Sequence, residues 1–118
     1  LDEFKLNGMA HITGGGITEN VPRIIPKNLS VEIYKNSWEI PNIFRWLQTN
    51  GKISDDSLLR IFNCGIGMVL IVNKSITSNV VKFINSQNFK AYKIGKIKVK
   101  KDNYNLIYKW FQKKTYAF

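Results

Sequence analysis

Cysteine and histidine each occur once in the 118 residues. One cysteine excludes an internal disulfide and a cysteine-rich zinc site, and one histidine excludes a multi-histidine centre, so no metal ligand set is expected. Arginine is scarce, at 3 residues, and so is proline, also at 3. The longest apolar run, Ile66 to Val72, is far short of the roughly 20 residues that span a bilayer, and no membrane partner is expected. The opening residues show no basic, apolar and small-residue succession of the kind that directs secretion. What is abundant is core material: 44% of the chain is hydrophobic and 13% aromatic. That suffices for one core, and a single domain over residues 1–118 is expected.

The net charge of +10 is unevenly placed. Residues 82–118 hold ten lysines and one acid, Asp102, a net of +9; residues 1–81 hold eight basic and seven acidic residues, a net of +1. A basic face can bind phosphate backbones. Lysine, asparagine and isoleucine together make up 44 of the 118 residues, the imprint of A- and T-rich codons. The preferred reading is therefore a solvated, lysine-biased surface, with no nucleic-acid partner.

Patterning predicts a β-α-β-α-α-β-α-β-β order. Leu1–Leu6 reads as the end of a helix whose beginning is missing, stopped by Asn7-Gly8. Met9–Thr13 is a short strand, Gly14-Gly15-Gly16 follow, and a helix runs from about Thr18 to Ile25. Leu29, Val31 and Ile33 alternate with Ser30 and Glu32, the period of a half-buried strand. Ile40, Ile43, Phe44 and Leu47 mark one face of a helix stopped by Asn50-Gly51. Ser54 caps a helix that buries Leu58, Leu59 and Phe62. Ile66–Val72 reads as a strand covered on both faces. Thr77 caps the next helix, with Ile76 stapled to Val81, and Val80, Val81, Phe83 and Ile84 form its buried side. The apolar parity switches between Tyr92/Ile94 and Ile97/Val99, so a bulge is expected at Gly95-Lys96. Leu106–Phe111 is the last strand. The fold class is α+β, a mixed sheet with helices packed on it.

The chemically informative stretch is His11-Ile12-Thr13-Gly14-Gly15-Gly16, followed by Glu19-Asn20-Val21-Pro22-Arg23. Strand, triple glycine and helix form a geometry suited to phosphate: glycine admits positive φ and close approach, and N–H groups at the start of the helix face the anion. Thr13 and His11 stand at the edge of the loop with hydrogen-bonding groups. Asn20 and Arg23 are three apart on one face, and Arg23 offers a charged fork to a phosphate or carboxylate. The alternative is a plain tight turn, with Arg23 paired to Glu19. Cys64 reads as a small buried hydrophobe, and Trp38, Phe44 and Trp46 as core. Asn63, Gly65 and Gly67 read as structural turn residues.

Those two blocks closely resemble the signature of the phosphoribosylformylglycinamidine cyclo-ligase (aminoimidazole ribonucleotide synthetase) family. The likeness continues through Trp38, Pro41, Ile43-Phe44 and Trp46-Leu47-Gln48, then Arg60-Ile61-Phe62-Asn63-Cys64-Gly65-Ile66-Gly67-Met68, and Lys93-Ile94-Gly95. It covers residues 8 to about 95, in the family's order; the residues after Val99 carry no matching motif. The resemblance is to the family's C-terminal domain alone.

This resemblance implies an ATP-dependent ring closure of formylglycinamidine ribonucleotide to aminoimidazole ribonucleotide in purine biosynthesis. It implies ATP and magnesium handled mostly by an N-terminal domain absent from this chain, a homodimer in the full-length enzyme, and a cytoplasmic location. The N-terminal half is similar to those of formylglycinamidine ribonucleotide synthetase, selenophosphate synthetase and thiamine monophosphate kinase. The 118 residues alone are expected to be inactive. The site residues implied are His11, as a hydrogen-bonding or proton-transfer group, and Thr13, Gly14, Gly15, Gly16, Asn20 and Arg23 on substrate or phosphoryl oxygens. Two alternatives are a related synthetase sharing the fold and a basic nucleic-acid-binding module.

Overall fold

The computed structural model describes residues 5–110. The elements follow the expected order: β1 (Leu6–His11), α1 (Gly16–Asn20), β2 (Leu29–Tyr34), α2 (Asn42–Gly51), α3 (Asp55–Ile61), β3 (Met68–Val72), α4 (Thr77–Ser86), β4 (Gly95–Val99) and β5 (Leu106–Lys109). Single 3-10 turns at Pro22–Ile24 and Lys74–Ile76 precede β2 and α4. The described strands form two sheets. β1 and β3 pair antiparallel, while β2 is the centre of a β4-β2-β5 sheet, antiparallel to β4 and parallel to β5. The chain is α+β.

One core joins the two sheets. Ala10, Ile12 and Val69 from the β1–β3 side meet Val31 and Ile33 from β2, with Ile17 and Val21 beside α1, Leu58 and Leu59 from α3, and Trp38, Ile40, Cys64 and Ile66 from connections. Trp38 donates its indole N–H to the Cys64 carbonyl at 3.1 Å. Cys64 is fully buried, and burial pushes its thiol up to about 11; it is the small hydrophobe expected. Asn63 accepts the Gly65 N–H, and Gly65 (φ 94°) leaves no room for a side chain against the Pro41 ring, so both are structural.

Several expectations need correction. Leu6, Asn7 and Gly8 belong to β1, so Asn7-Gly8 stops no helix; Leu1–Phe4 lie outside the described residues, as does Phe111. The ladder irregularity falls between Leu6 and Gly8, whereas β4 pairs with β2 in unbroken register from Gly95. Gly95 is required for another reason: a Cβ there would strike the Glu32 carbonyl of the neighbouring strand. Tyr92 and Ile94 precede that strand. The helix expected from Thr18 to Ile25 is a single turn, since Pro22 at the start of the next turn breaks the register. Asn73, not Thr77, caps the turn into α4 by accepting the Ser75 N–H at 3.0 Å. β3 begins at Met68, which is 50% exposed; Val69 is buried, and Leu70, Ile71 and Val72 are half-buried, so cover is partial at the start of the strand. On α2, Phe44 packs against the core and meets Phe62, but Ile43 and Trp46 are exposed.

β2 is buried along both faces, not half-buried. On its outer face Glu32 is only 6% exposed, because lysines close over it. Lys109 donates to its carboxylate at 2.7 Å and Lys98 at 3.2 Å, with Lys96 at 3.7 Å. Three lysines of the basic third thus converge on one carboxylate and hold β4 and β5 to β2. The Lys109 hydrogen bond, reinforced by Lys98 and opposed by burial, lowers the Glu32 pKa from 4.5 to about 2. A pKa depressed by folding contributes stability that is full above pH 4.5 and is lost as pH falls toward 2. Water around the exposed lysine heads reduces the effect, so Glu32→Gln should cost about 1–2 kcal/mol at pH 7. Urea denaturation as a function of pH should show the difference between variant and parent closing as pH drops through that window.

Candidate functional site

The glycine loop is the connection from β1 to α1. β1 delivers His11 on its exposed edge, paired with Met68, while Ile12 turns into the core and donates its N–H to the Gly67 carbonyl at 2.9 Å. Thr13 and Gly14 are exposed, and the chain folds back through a turn in which the Gly16 N–H reaches the Thr13 carbonyl at 3.0 Å.

The loop keeps its shape through Asn20, which is 7% exposed. Its Nδ2 donates to the carbonyls of Thr13 (3.2 Å), Gly14 (3.2 Å) and Gly16 (2.8 Å). Its Oδ1 accepts from the Thr13 hydroxyl at 3.2 Å and from Arg23 Nη1 at 3.4 Å. An amide N–H points opposite to the carbonyl of the same trans peptide, and the described chain has no cis peptide. With the Thr13 and Gly14 carbonyls gripped by Asn20, the amides of Gly14 and Gly15 are directed away from it.

The three glycines differ. Gly15 (φ 96°) and Gly16 (φ 61°) adopt left-handed conformations that side chains disfavour. A Cβ on Gly16 would hit the Leu59 carbonyl of α3, and the Glu19 side chain fills the place a Gly15 side chain would take. Both glycines therefore serve the loop's own geometry, and the Glu19 carboxylate lies on the Gly15 side. Gly14 has neither constraint: a Cβ there would meet no described atom within 4 Å.

The structure thus brings the seven expected site residues to one place and divides them. His11, Thr13 and Gly14 form the accessible rim, while Gly15, Gly16 and Asn20 build the loop. Arg23 lies in the 3-10 turn rather than on the helix, exposed, and reaches the loop through Asn20. α1 is a single turn, so its dipole contributes little, and the amides of the loop itself are the groups available to an anion. Among the described residues, a groove of about 590 Å³ lies elsewhere, between β3, β4 and α4; it is lined by apolar side chains such as Val69, Val80 and Ile97 and does not include His11, Thr13 or Gly14.

One contact had no signal in the sequence. The Tyr108 hydroxyl of β5 meets the Thr18 hydroxyl of α1 at 2.6 Å, across 90 residues of chain.

Replacing Asn20 removes the bonds that hold the loop carbonyls. Asn20→Ala should cost about 2–3 kcal/mol, the penalty for stranding buried polar groups, and Asn20→Asp should be at least as damaging because it sets carboxylate oxygen against carbonyl oxygen. Chemical denaturation of both variants measures this.

Comparison with known proteins places this geometry in context. The family model described as AIR synthase related protein, C-terminal domain, matches residues 1–107. Phosphoribosylformylglycinamidine cyclo-ligase of Neisseria gonorrhoeae is 48% identical over 103 residues, covering 87% of this chain and 30% of the relative. The proteins of that name from Methylobacillus flagellatus and Cupriavidus pinatubonensis are 48% and 42% identical over 98 residues, each match covering 83% of this chain and 28% of the relative. The chain therefore spans less than a third of the length of these curated relatives. With residues 1–107 matched, the chain belongs to the AIR synthase related protein, C-terminal domain, family.

Proposed function

We propose that this chain forms the glycine-loop side of the active site of an ATP-dependent cyclo-ligase of purine biosynthesis. The reaction closes the five-membered ring of aminoimidazole ribonucleotide from formylglycinamidine ribonucleotide. The observation that carries this reading is the loop clamped by Asn20, with the Gly14 and Gly15 amides turned away from the clamp, within a sequence 48% identical to proteins named for that reaction.

The chemistry needs an activated oxygen. The γ-phosphoryl group of ATP transfers to the formamide oxygen, a substrate nitrogen attacks the formyl carbon, and that oxygen departs with phosphate; ADP is the other product. Positioning and neutralisation of phosphoryl charge dominate such transfers. The Gly14 and Gly15 amides bind phosphoryl or phosphate oxygens of the substrate on the exposed side of the loop, while the Thr13 hydroxyl, which donates its proton to Asn20 Oδ1, holds the loop in that orientation. His11, at the end of β1, hydrogen-bonds the substrate or takes a proton during closure. Arg23 lends positive charge beside Asn20. ATP is a co-substrate whose contacts, like those of magnesium, are assigned outside these residues. Among the described residues no three His, Cys, Asp or Glu side chains gather as a metal ion requires.

A homodimer and a cytoplasmic location belong to the same reading. No helix among the described residues is long and apolar enough to cross a membrane. Three of the ten lysines of residues 82–118, Lys96, Lys98 and Lys109, meet the Glu32 carboxylate, which supports a structural use of part of that charge over a nucleic-acid module.

In the whole protein, formylglycinamidine ribonucleotide and ATP should yield aminoimidazole ribonucleotide, ADP and phosphate. His11→Ala, at an exposed position, should lower kcat by about 100-fold or more if the imidazole moves a proton. Gly14→Val should raise KM for the ribonucleotide while leaving the melting temperature unchanged. Wild-type kinetics in both variants would remove the roles assigned to them.

A further inference from the structure

We propose that Tyr108 is a positioning residue for the glycine loop, acting through its hydrogen bond to Thr18. This rests on the reading above, in which that loop binds the ribonucleotide.

α1 is the shortest α-helix among the described residues. It is a single turn of five residues, Gly16–Asn20, with the loop at one end and Asn20, which grips three loop carbonyls, at the other. Any tilt of the turn moves the Asn20 carboxamide, and the carbonyls of Thr13, Gly14 and Gly16 move with it. At the loop end, Gly16 abuts the Leu59 carbonyl of α3, and Ile17 is fully buried in the core. At the other end Val21, which closes the turn, is buried in the same core, 1% exposed. Between these apolar anchors the Thr18 hydroxyl supplies a polar one, 2.6 Å from the hydroxyl of Tyr108.

Tyr108 is well placed to fix that point. It lies in β5, paired in parallel register with Ile33 of β2, whose side chain is 2% exposed, and it packs against the core. Its neighbour Lys109 anchors to Glu32. The hydroxyl is therefore carried by a strand held to the sheet by backbone and ionic contacts. Burial pushes the phenol up to about 12, and either hydroxyl of the pair can donate to the other. The last described strand thereby sets the angle of the turn that shapes the loop.

The test is a double-mutant cycle in the whole enzyme. Tyr108→Phe and Thr18→Val each remove one hydroxyl while keeping side-chain bulk. Each should raise KM for formylglycinamidine ribonucleotide by about three- to ten-fold, the range expected for one neutral hydrogen bond. kcat should stay within about two-fold and KM for ATP should not change. The double variant should be no worse than either single one, and Thr18→Ser should restore parental values. A fall in melting temperature with both KM values unchanged would overturn the proposal by making the bond purely structural. Additive effects in the double variant would also overturn it. If the parent enzyme does not turn over this ribonucleotide, the functional reading fails by itself. The amide NMR signals of Gly14, Gly15 and Gly16 then decide the positioning role, which predicts that they shift in Tyr108→Phe and is refuted if they do not.

Discussion

Everything distinctive about the loop depends on one side chain, the carboxamide of Asn20. A loop that turns back on itself beside a core must satisfy its backbone carbonyls. Here three of them are met by one buried amide group. The arrangement has two consequences. It commits the peptide planes of Thr13–Gly14 and Gly14–Gly15 to an orientation in which their N–H groups face away from Asn20. It also requires left-handed backbone at Gly15 and Gly16 and close contact of Gly16 with α3. The glycines are thus less a flexible hinge than the condition for a rigid turn, and rigidity is what a site working by positioning needs.

The loop is connected to the rest of the molecule on both sides. The Ile12 N–H reaches the Gly67 carbonyl beside β3, and Thr18 reaches Tyr108 in β5. Both sheets therefore bear on one short segment, although they share no strand. Glu32 serves the second sheet in a similar way. Its carboxylate gathers lysines from β4 and β5, so the strand that carries Tyr108 is tied to β2 by charge as well as by backbone bonds. The lysine excess toward the end of the chain acts in part as internal structure.

Much of this was legible in the sequence, for physical reasons. The order of nine elements follows from apolar periodicity, and Ser54 capped α3 as its position suggested, accepting the Ser57 N–H at 3.2 Å. The loop announced itself through three glycines and a polar residue one turn further on. What stayed hidden depended on neighbours remote in sequence. Gly95 carries two meanings in a strand, bulge or close approach, and only the passage of Glu32's carbonyl beside it decides between them. Strict alternation in β2 suggested a solvated outer face, because periodicity cannot register lysine stems folding over Glu32. Asn73 and Thr77 are both competent caps four residues apart, and the 3-10 turn between them selects the first. Ile43 and Trp46 follow the helical period yet remain exposed. The Thr18–Tyr108 bond joins residues 90 apart, beyond any local pattern.

The central claim is that the amides presented by the Asn20-clamped loop receive the ribonucleotide. The most direct measurement is titration of glycine-labelled whole protein with formylglycinamidine ribonucleotide, followed through backbone amide NMR. The account predicts saturable shifts at Gly14 and Gly15, while Gly95, paired with β2 away from the loop, stays in place. Saturable binding that left both loop amides unmoved would contradict it.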